Sequence, residues 1–428
     1  MLVEFTVGNY TSFREPVTLS LMASKKVSEY RDSNVITSER LPLLKSAVVY
    51  GANAGGKSNL MSSLVWMRWF VINSSKDSQA GESINVKPFK LDVDFPQKPS
   101  RFEIVFFLNS IRYRYGFEAD QKQVIREWLY KATKNAEAQM FLRVGEDIEV
   151  SRNFQEGKGI ESKTRNNVLF LSLAASMNGQ LSGEIIRWFS SLTPFHGLRD
   201  GQYATAVEML GEKAAHKQFI KMIHNADLCI EDVLVEEQPL DPSPVLKLLS
   251  EEGKKKFLQD MAEAKSISLR TIHKRFKDGQ PIDTVTMGLD EEESEGTRKF
   301  FGLIGPVLEC LNTGRVIIVD ELEAKLHPLL TRMIIRLFHS TSTNPKNAQL
   351  VFATHDANLL QYGMFRRDQI WFVEKTQQQA SDLYSLAEIK LPKGSVRKDA
   401  SYEKDYFRGR YGAIPFLGDF EKLFQPEK

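Results

Sequence analysis

Hydrophobic positions divide the chain into strand-like and helix-like regions. At the N-terminus, apolar residues alternate on both sides of a polar turn at 8–12, which predicts a β-hairpin with one buried face. Three short apolar runs, at 46–50, 316–319 and 349–353, have the length and composition of strands buried on both faces. Apolar residues at helical spacing follow the first of these runs. The two ends of the chain therefore predict alternating strands and helices.

The middle of the chain has a different pattern. Residues 101–130 predict three antiparallel strands, whereas about 180–275 favours helices interrupted by a proline-rich turn. This arrangement predicts an α/β fold whose core is split in two, with a first part at 1–195 and a second at 285–428. The segment between them, 196–284, is predicted to be a mainly helical insertion.

Composition adds few constraints. A hydrophobic fraction of 42% and a charged fraction of 26% are ordinary for a soluble globular protein, and the formal net charge of +2 favours neither nucleic acid nor any other charged partner. The only two cysteines, Cys229 and Cys310, are far apart, which indicates reduced thiols and a reducing compartment. Neither a signal peptide nor a long apolar span is visible, so we expect a cytoplasmic protein without a membrane partner.

A glycine-rich segment between the first buried strand and the following helix carries the clearest chemical signal. This phosphate loop, residues 51–58, reads Gly-Ala-Asn-Ala-Gly-Gly-Lys-Ser. Its glycines let backbone N–H groups face a phosphate, Lys57 adds a positive charge, and the Ser58 hydroxyl can ligate Mg²⁺. The predicted nucleotide-binding residues here are Gly51, Asn53, Gly55, Gly56, Lys57, Ser58 and Asn59.

Two carboxylates follow the apolar run at 316–319. Asp320 is predicted to hold the metal ion, and Glu321 is predicted to act as the general base that orients or deprotonates the attacking water. An acidic loop after a core strand is the alternative interpretation. The intact phosphate loop favours catalysis.

Two further features indicate the type of ATPase. The signature turn, residues 294–297, reads Ser-Glu-Gly-Thr at the start of a predicted helix, where hydroxyl and free N–H groups can bind an anion. His355 follows the apolar run 349–353 and is predicted to reach the γ-phosphate. Taken singly, the turn could be only a helix cap and the histidine only structural. Their order along the chain favours function, with Ser294 and Gly296 as nucleotide contacts.

This order of features resembles an ABC-type ATPase head of the SMC-like group. Within it, the chain is similar to prokaryotic AAA-family proteins of the abortive-infection AbiL and RloA type. The resembling stretches are 7–13, 50–59, 320–328 and 407–415. The resemblance implies a mixed P-loop sheet with flanking helices and an antiparallel β subdomain, and it implies ATP and Mg²⁺ as ligands.

The same resemblance implies a site shared between two subunits. Ser294 and Gly296 of one subunit would contact the γ-phosphate held by Lys57 and Ser58 of the other, so ATP would drive formation of a dimer or a higher oligomer. His355 would be the switch histidine. Relatives of this type often act with a separately encoded Toprim-type nuclease in antiviral defence, so we expect such an effector here and no nuclease site within this chain.

Two other functional classes compete with this interpretation. Basic residues within 247–277 could bind DNA or RNA directly, although interspersed acidic residues are also typical of a solvated amphipathic helix. A transporter subunit is disfavoured because the signature turn lacks the glycine–glutamine sequence usual in that class. The acidic pairs at 92–94 and 290–293 are expected to be solvated turns.

Overall fold

A computed structural model describes residues 1–37, 41–77, 79, 81–133, 136–199, 201–239, 265–361, 363–391, 394–397 and 400–415. The strands are β1 (Leu2–Gly8), β2 (Val17–Ser20), β3 (Val35–Ile36), β4 (Leu43–Leu44), β5 (Ser46–Tyr50), β6 (Ser100–Leu108), β7 (Ile111–Ala119), β8 (Val124–Ala132), β9 (Glu137–Val144), β10 (Asp147–Val150), β11 (Leu192–His196), β12 (Asp232–Pro239), β13 (Lys265–Lys277), β14 (Gln280–Gly288), β15 (Val316–Asp320), β16 (Gln349–Ala353), β17 (Ile370–Lys375), β18 (Ser381–Ser385), β19 (Lys390–Leu391) and β20 (Gly394–Ser395). The α-helices are α1 (Arg31–Asn34), α2 (Lys57–Asp77), α3 (Phe170–Ser176), α4 (Gln180–Ser190), α5 (Ala204–Gly211), α6 (Lys213–Asn225), α7 (Glu295–Thr313), α8 (Pro328–His339) and α9 (Tyr402–Phe407).

The chain forms two compact units. The first consists of Met1–Gly197, Cys310–Ala324 and Thr331–Lys428, and the second of Leu198–Glu309 and Lys325–Leu330. The prediction of an α/β chain is confirmed. The signature turn falls in the second unit, together with the described residues of the predicted insertion from Leu198 onward, whereas residues 196 and 197 belong to the first unit.

A six-stranded sheet forms the centre of the first unit, in the order β11-β15-β16-β5-β17-β18. All neighbouring strands are parallel except the pair β17–β18. Every residue of β5, β15 and β16 is buried, which confirms the prediction made from their continuous apolar runs. Because these strands are parallel, their carboxyl ends meet at one edge of the sheet, where ligands bind in open α/β sheets.

A second, antiparallel sheet lies in the same unit, in the order β10-β9-β8-β7-β6-β1-β2. The predicted N-terminal hairpin and the three strands predicted for 101–130 are confirmed, whereas β9 and β10 extend the sheet beyond them. Helix α2 buries Leu64 and Met67 in one continuous apolar core with Phe102 of the antiparallel sheet and Ile318 of the parallel sheet. This helix therefore anchors the phosphate loop to both sheets.

The second unit contains α5, α6 and the antiparallel sheet β12-β13-β14. The prediction of a mainly helical insertion is wrong at 265–277, which forms β13. Leu269 and Thr271 are buried, whereas Ser268 is exposed, and this period of two is that of a strand. Lysines and arginines placed between apolar residues gave this strand the appearance of an amphipathic helix. The remaining part of the predicted basic helix, 247–264, lies outside the described residues.

Candidate functional site

The phosphate loop leaves β5 and enters α2, and its close contact with the sheet requires glycine. A Cβ atom at Gly55 would lie 2.9 Å from the carbonyl oxygen of Val373, and one at Gly51 would lie closer still. Val373 belongs to the neighbouring strand β17, a buried main-chain segment that cannot move aside. Any side chain at these two positions would therefore push the loop away from the sheet.

Two serines from other elements brace the loop. Ser381 of β18 donates a hydrogen bond from its hydroxyl to the carbonyl of Gly55 (2.6 Å), and its N–H donates to the carbonyl of Ser12 (2.7 Å). The Ser12 hydroxyl accepts a hydrogen bond from the side chain of Asn59 (2.8 Å). Gly56 has a φ of +126°, and a Cβ there would collide with Ser381. The loop is thus held from the N-terminal hairpin as well as from the sheet.

Lys57 is buried at the start of α2. Its Nζ donates hydrogen bonds to the carbonyl oxygens of Gly51 (2.8 Å) and Ala52 (3.1 Å), so its charge lies inside the loop. Desolvation by burial lowers the pKa of Lys57. The neighbouring carboxylates that counteract this effect are Asp320, Glu323 and Glu321. Lys57 and this acidic group therefore share one electrostatic environment.

Asp320, at the end of β15, has a carboxylate oxygen available for a ligand. Its side chain is buried, and Oδ1 has no hydrogen-bond partner among the described residues. Its other oxygen, Oδ2, lies 3.9 Å from His196 Nε2, and its main-chain carbonyl accepts a hydrogen bond from the N–H of Gly197 (2.8 Å). A buried carboxylate oxygen without a donor is costly unless a cation or a proton compensates it. Asp320 thus fits a metal ligand.

Two glutamates follow Asp320 in the same loop and differ in their surroundings. Glu321 adopts a left-handed backbone conformation (φ 57°), which is unusual for a residue with a side chain and is typical of functional sites. Glu323 accepts a hydrogen bond at Oε1 from the N–H of His355 (2.5 Å). Its Oε2 atom is buried and has no hydrogen-bond partner among the described residues. Glu323 therefore ties the loop after β15 to the end of β16.

His355 reaches the phosphate loop from the end of β16. Its Nδ1 lies 3.5 Å from the Nζ atom of Lys57, at the limit of a hydrogen bond. The next residue toward the N-terminus, Thr354, is fully buried and its N–H donates to the carbonyl of Val49 (3.1 Å) in β5. The structure thus brings His355, Lys57 and the Asp320 loop together at the carboxyl ends of three parallel strands.

Two other predicted residues of the phosphate loop lie at its surface. Asn53 and Ser58 are exposed, and between them Ala54 adopts a left-handed conformation (φ 60°). Exposure of Ser58 at the first turn of α2 leaves its hydroxyl accessible to a ligand at the helix N-terminus.

The signature turn belongs to the second unit and opens α7. The Ser294 hydroxyl accepts a hydrogen bond from the N–H of Thr297 (3.1 Å) and lies 2.9 Å from its hydroxyl, so Ser294 caps the helix. A Cβ at Gly296 would lie 3.0 Å from the carbonyl oxygen of Lys325, which leaves little room for a side chain. The turn has the geometry of a helix N-terminus with an exposed serine.

The chain matches a family model over residues 46–361, from the strand before the phosphate loop to just beyond His355. The model is described as "AAA domain, putative AbiEii toxin, Type IV TA system". The chain belongs to this AAA family. Membership of this family indicates a nucleotide-binding ATPase domain and is in line with the broader part of the sequence-based prediction, whereas the particular AbiL and RloA likeness goes beyond it. No curated protein matches the chain.

Sequence reasoning missed several residues of this AAA site. Ser12 and Ser381 brace the phosphate loop, Glu323 holds His355, and His196 pairs in register with Asp320 through β11 and β15. Glu323 had a signal in the sequence, since it follows two carboxylates at the end of a buried strand, and Ser12 lies within the resembling stretch 7–13. Ser381 and His196 come from distant segments, and the order of strands in the sheet brings them to the site.

The predicted basic surface is largely paired with acidic residues where the structure describes it. On β13, Lys274 lies 2.8 Å from Glu231, and Arg275 pairs with Asp283 of the next strand. Arg270 also lies 3.7 Å from Glu236. These carboxylates reduce the positive charge that a nucleic acid would meet.

Within the part of the chain that the structure describes, no cluster of three or more histidine, cysteine, aspartate or glutamate side chains could hold a metal ion by itself. None of the helices described is both long enough and apolar enough to cross a bilayer.

Proposed function

We propose that this AAA protein binds and hydrolyses ATP as a molecular switch that dimerises around the nucleotide. The observation that carries the proposal is the convergence of Lys57, the Asp320 loop and His355 at one edge of the parallel sheet. A cation for phosphates and a buried acid for a metal are groups that phosphoryl transfer uses, and a histidine beside the cation can contact a phosphate.

Each group has a distinct role in this proposal. The phosphate loop binds the β- and γ-phosphates through its N–H groups and through Lys57, whose carbonyl contacts would be exchanged for phosphate oxygens. Glu321 accepts a proton from the attacking water, and His355 donates a hydrogen bond to the γ-phosphate. Glu323 holds His355 in place through its backbone N–H.

Mg²⁺ fits the residues present. Asp320 offers a buried oxygen that has no partner among the described residues, and the exposed hydroxyl of Ser58 stands at the start of α2. Oxygen ligands from one carboxylate and one hydroxyl, together with substrate phosphates, suit this ion. When bound, Mg²⁺ would neutralise charge that develops on the phosphate oxygens.

The second half of the site would come from a partner subunit. Ser294 and Gly296 lie at the N-terminus of α7, where the helix dipole favours an anion, although the phosphate loop already supplies one anion site within the chain. A second anion site is explained if it serves the nucleotide of another copy. ATP binding would then close the dimer, and hydrolysis would reopen it.

The switch would control a separately encoded effector in antiviral defence. The family description, with its reference to toxin–antitoxin systems, supports a role in abortive infection. A Toprim-type nuclease remains the proposed effector, and this chain is proposed to lack nuclease activity. Plasmid incubated with the purified protein and Mg²⁺ or Mn²⁺ should stay intact, whereas cutting that survives Lys57→Ala would contradict this part of the proposal.

Two substitutions test the ATPase assignment. Glu321→Gln should retain ATP binding and lose most hydrolysis, because it removes the base and keeps the loop. Lys57→Ala should abolish both ATP binding and ATP hydrolysis. Binding is measured by equilibrium dialysis and hydrolysis by phosphate release. Wild-type hydrolysis by Glu321→Gln would show that Glu321 is not the base.

A further inference from the structure

The acidic run 290–293 was expected to be a solvated turn, and Asp290 to Glu292 are exposed, yet the run also makes specific contacts within its own unit. Tyr203 donates its hydroxyl to Asp290 Oδ1 (2.9 Å), and the N–H of Gly288 donates to Glu292 Oε2 (2.6 Å). Arg298 of α7 donates to the carbonyl of Asp290 (2.8 Å). The run therefore anchors the chain where it passes from β14 into the signature turn.

Glu293, the last residue of the run, contacts the central strand of the three-stranded sheet. Glu293 Oε1 accepts a hydrogen bond from the Thr271 hydroxyl (2.6 Å) and lies 2.7 Å from His273 Nε2. The opposite nitrogen of that ring, Nδ1, lies 3.1 Å from the carbonyl of Cys229. Thr271 is fully buried, and the side chains of His273 and Glu293 are only 17% and 12% exposed, so water competes little for these bonds.

Glu293 immediately precedes the serine that caps α7. The backbone of Ser294 is therefore fixed from one side by the Glu293 contacts with β13 and from the other by its own bonds to Thr297. Loss of the Glu293 contacts would free the turn without touching the phosphate loop, which belongs to the other unit of the chain.

We propose that Thr271, His273 and Glu293 are positioning residues that set the signature turn for the nucleotide of a partner subunit. This inference rests on the proposed function, in which Ser294 contacts that nucleotide. It also assigns a role to the inserted sheet β12-β13-β14: the sheet holds the signature turn, so its central strand controls whether two heads can close on ATP.

The test compares His273→Ala with two matched variants in otherwise intact protein. His273→Ala should lower kcat for ATP hydrolysis by about tenfold, the scale of a lost hydrogen bond to a charged group, while KM changes less than about twofold. His273→Gln, whose amide can still donate to Glu293, should recover most of the activity. Arg275→Ala removes an exposed ion pair from the same strand and should behave like the wild type.

Dimer formation provides the second measurement. In a Glu321→Gln background, His273→Ala should weaken ATP-dependent association by about tenfold and leave ATP binding to a single head unchanged. Equal loss of activity in His273→Ala and Arg275→Ala, or a raised KM with kcat unchanged, would overturn the inference. If Glu321→Gln itself fails to associate with ATP, the proposed dimer is wrong. If it associates and His273→Ala has no effect, only the positioning role is wrong.

Discussion

Glu323 offers a sharp test of how the site is assembled. Its carboxylate accepts a hydrogen bond from the N–H of His355 at 2.5 Å and is one of three carboxylates whose charge favours the charged form of Lys57. Glu323→Gln keeps an oxygen for the His355 amide and removes the charge. Glu323→Ala removes both. A positioning role therefore predicts that alanine is much more damaging than glutamine.

The expected loss of kcat depends on how exposed His355, the hydrogen-bond partner of Glu323, is to water. A hydrogen bond to a charged group contributes about 1.5–3 kcal/mol to stability. The larger value applies where water cannot reach the donor after its partner is removed. His355 is exposed, so water can replace the lost acceptor and the lower end applies. Glu323→Ala should then reduce kcat by about tenfold, and Glu323→Gln by no more than about threefold.

Steady-state phosphate release, with ATP affinity measured separately by dialysis, distinguishes the possible roles. Affinity should change little in either variant because the phosphate loop is intact. If glutamine is as damaging as alanine, the charge of Glu323 matters more than its contact with His355. If alanine retains wild-type kcat, the contact between these two residues has no role in hydrolysis.

Two further predictions concern local packing and buried charge. Gly56→Ala should weaken ATP binding by at least about tenfold, because φ at this position is +126° and the new methyl group would meet Ser381. The control Gly183→Ala lies in open space on helix α4, so it should leave binding unchanged and stabilise the helix by about 0.5–1 kcal/mol. Equal ATP affinities of the two variants, measured by dialysis, would refute the packing argument. His339 hydrogen-bonds to Ser46 at 2.8 Å in the core, where burial lowers the pKa of His339 from 6.5 to about 3. As pH falls, this histidine is therefore protonated in the unfolded chain before it is protonated in the folded protein. The free energy of unfolding should drop by about 1 kcal/mol between pH 6 and pH 5 on account of this residue. Denaturant titrations should show a smaller drop over this interval in His339→Gln, and an unchanged drop would contradict the assignment.

The spacing of apolar residues predicted the secondary structure correctly where it was compatible with only one kind of element. Continuous apolar runs too short for helices predicted β5, β15 and β16, and all three are fully buried parallel strands. The prediction from periodicity was wrong for β13, whose buried residues Leu269 and Thr271 are separated by Arg270 and preceded by the exposed Ser268. A strand with one solvated face and an amphipathic helix share this mixture, and tertiary pairing with β12 and β14 decides between them.

The site shows the same limit. The phosphate loop and Asp320 could be predicted because the residues that identify them are consecutive in the sequence and directly follow a buried strand. Ser381 and His196 could not, since each reaches the site through the order of strands in the sheet. Three residues of the acidic run, Asp290 to Glu292, are exposed as predicted, whereas Glu293 is half-buried because Thr271 of β13 contacts it.

The mass of the protein in the presence of ATP tests the central proposal most directly. Light scattering of Glu321→Gln with ATP and Mg²⁺ should give at least twice the monomer mass, and adding Ser294→Ala should return it to the monomer while ATP stays bound. A monomer mass for Glu321→Gln at saturating ATP would contradict a nucleotide-driven dimer. An association that survives Ser294→Ala would contradict the shared site.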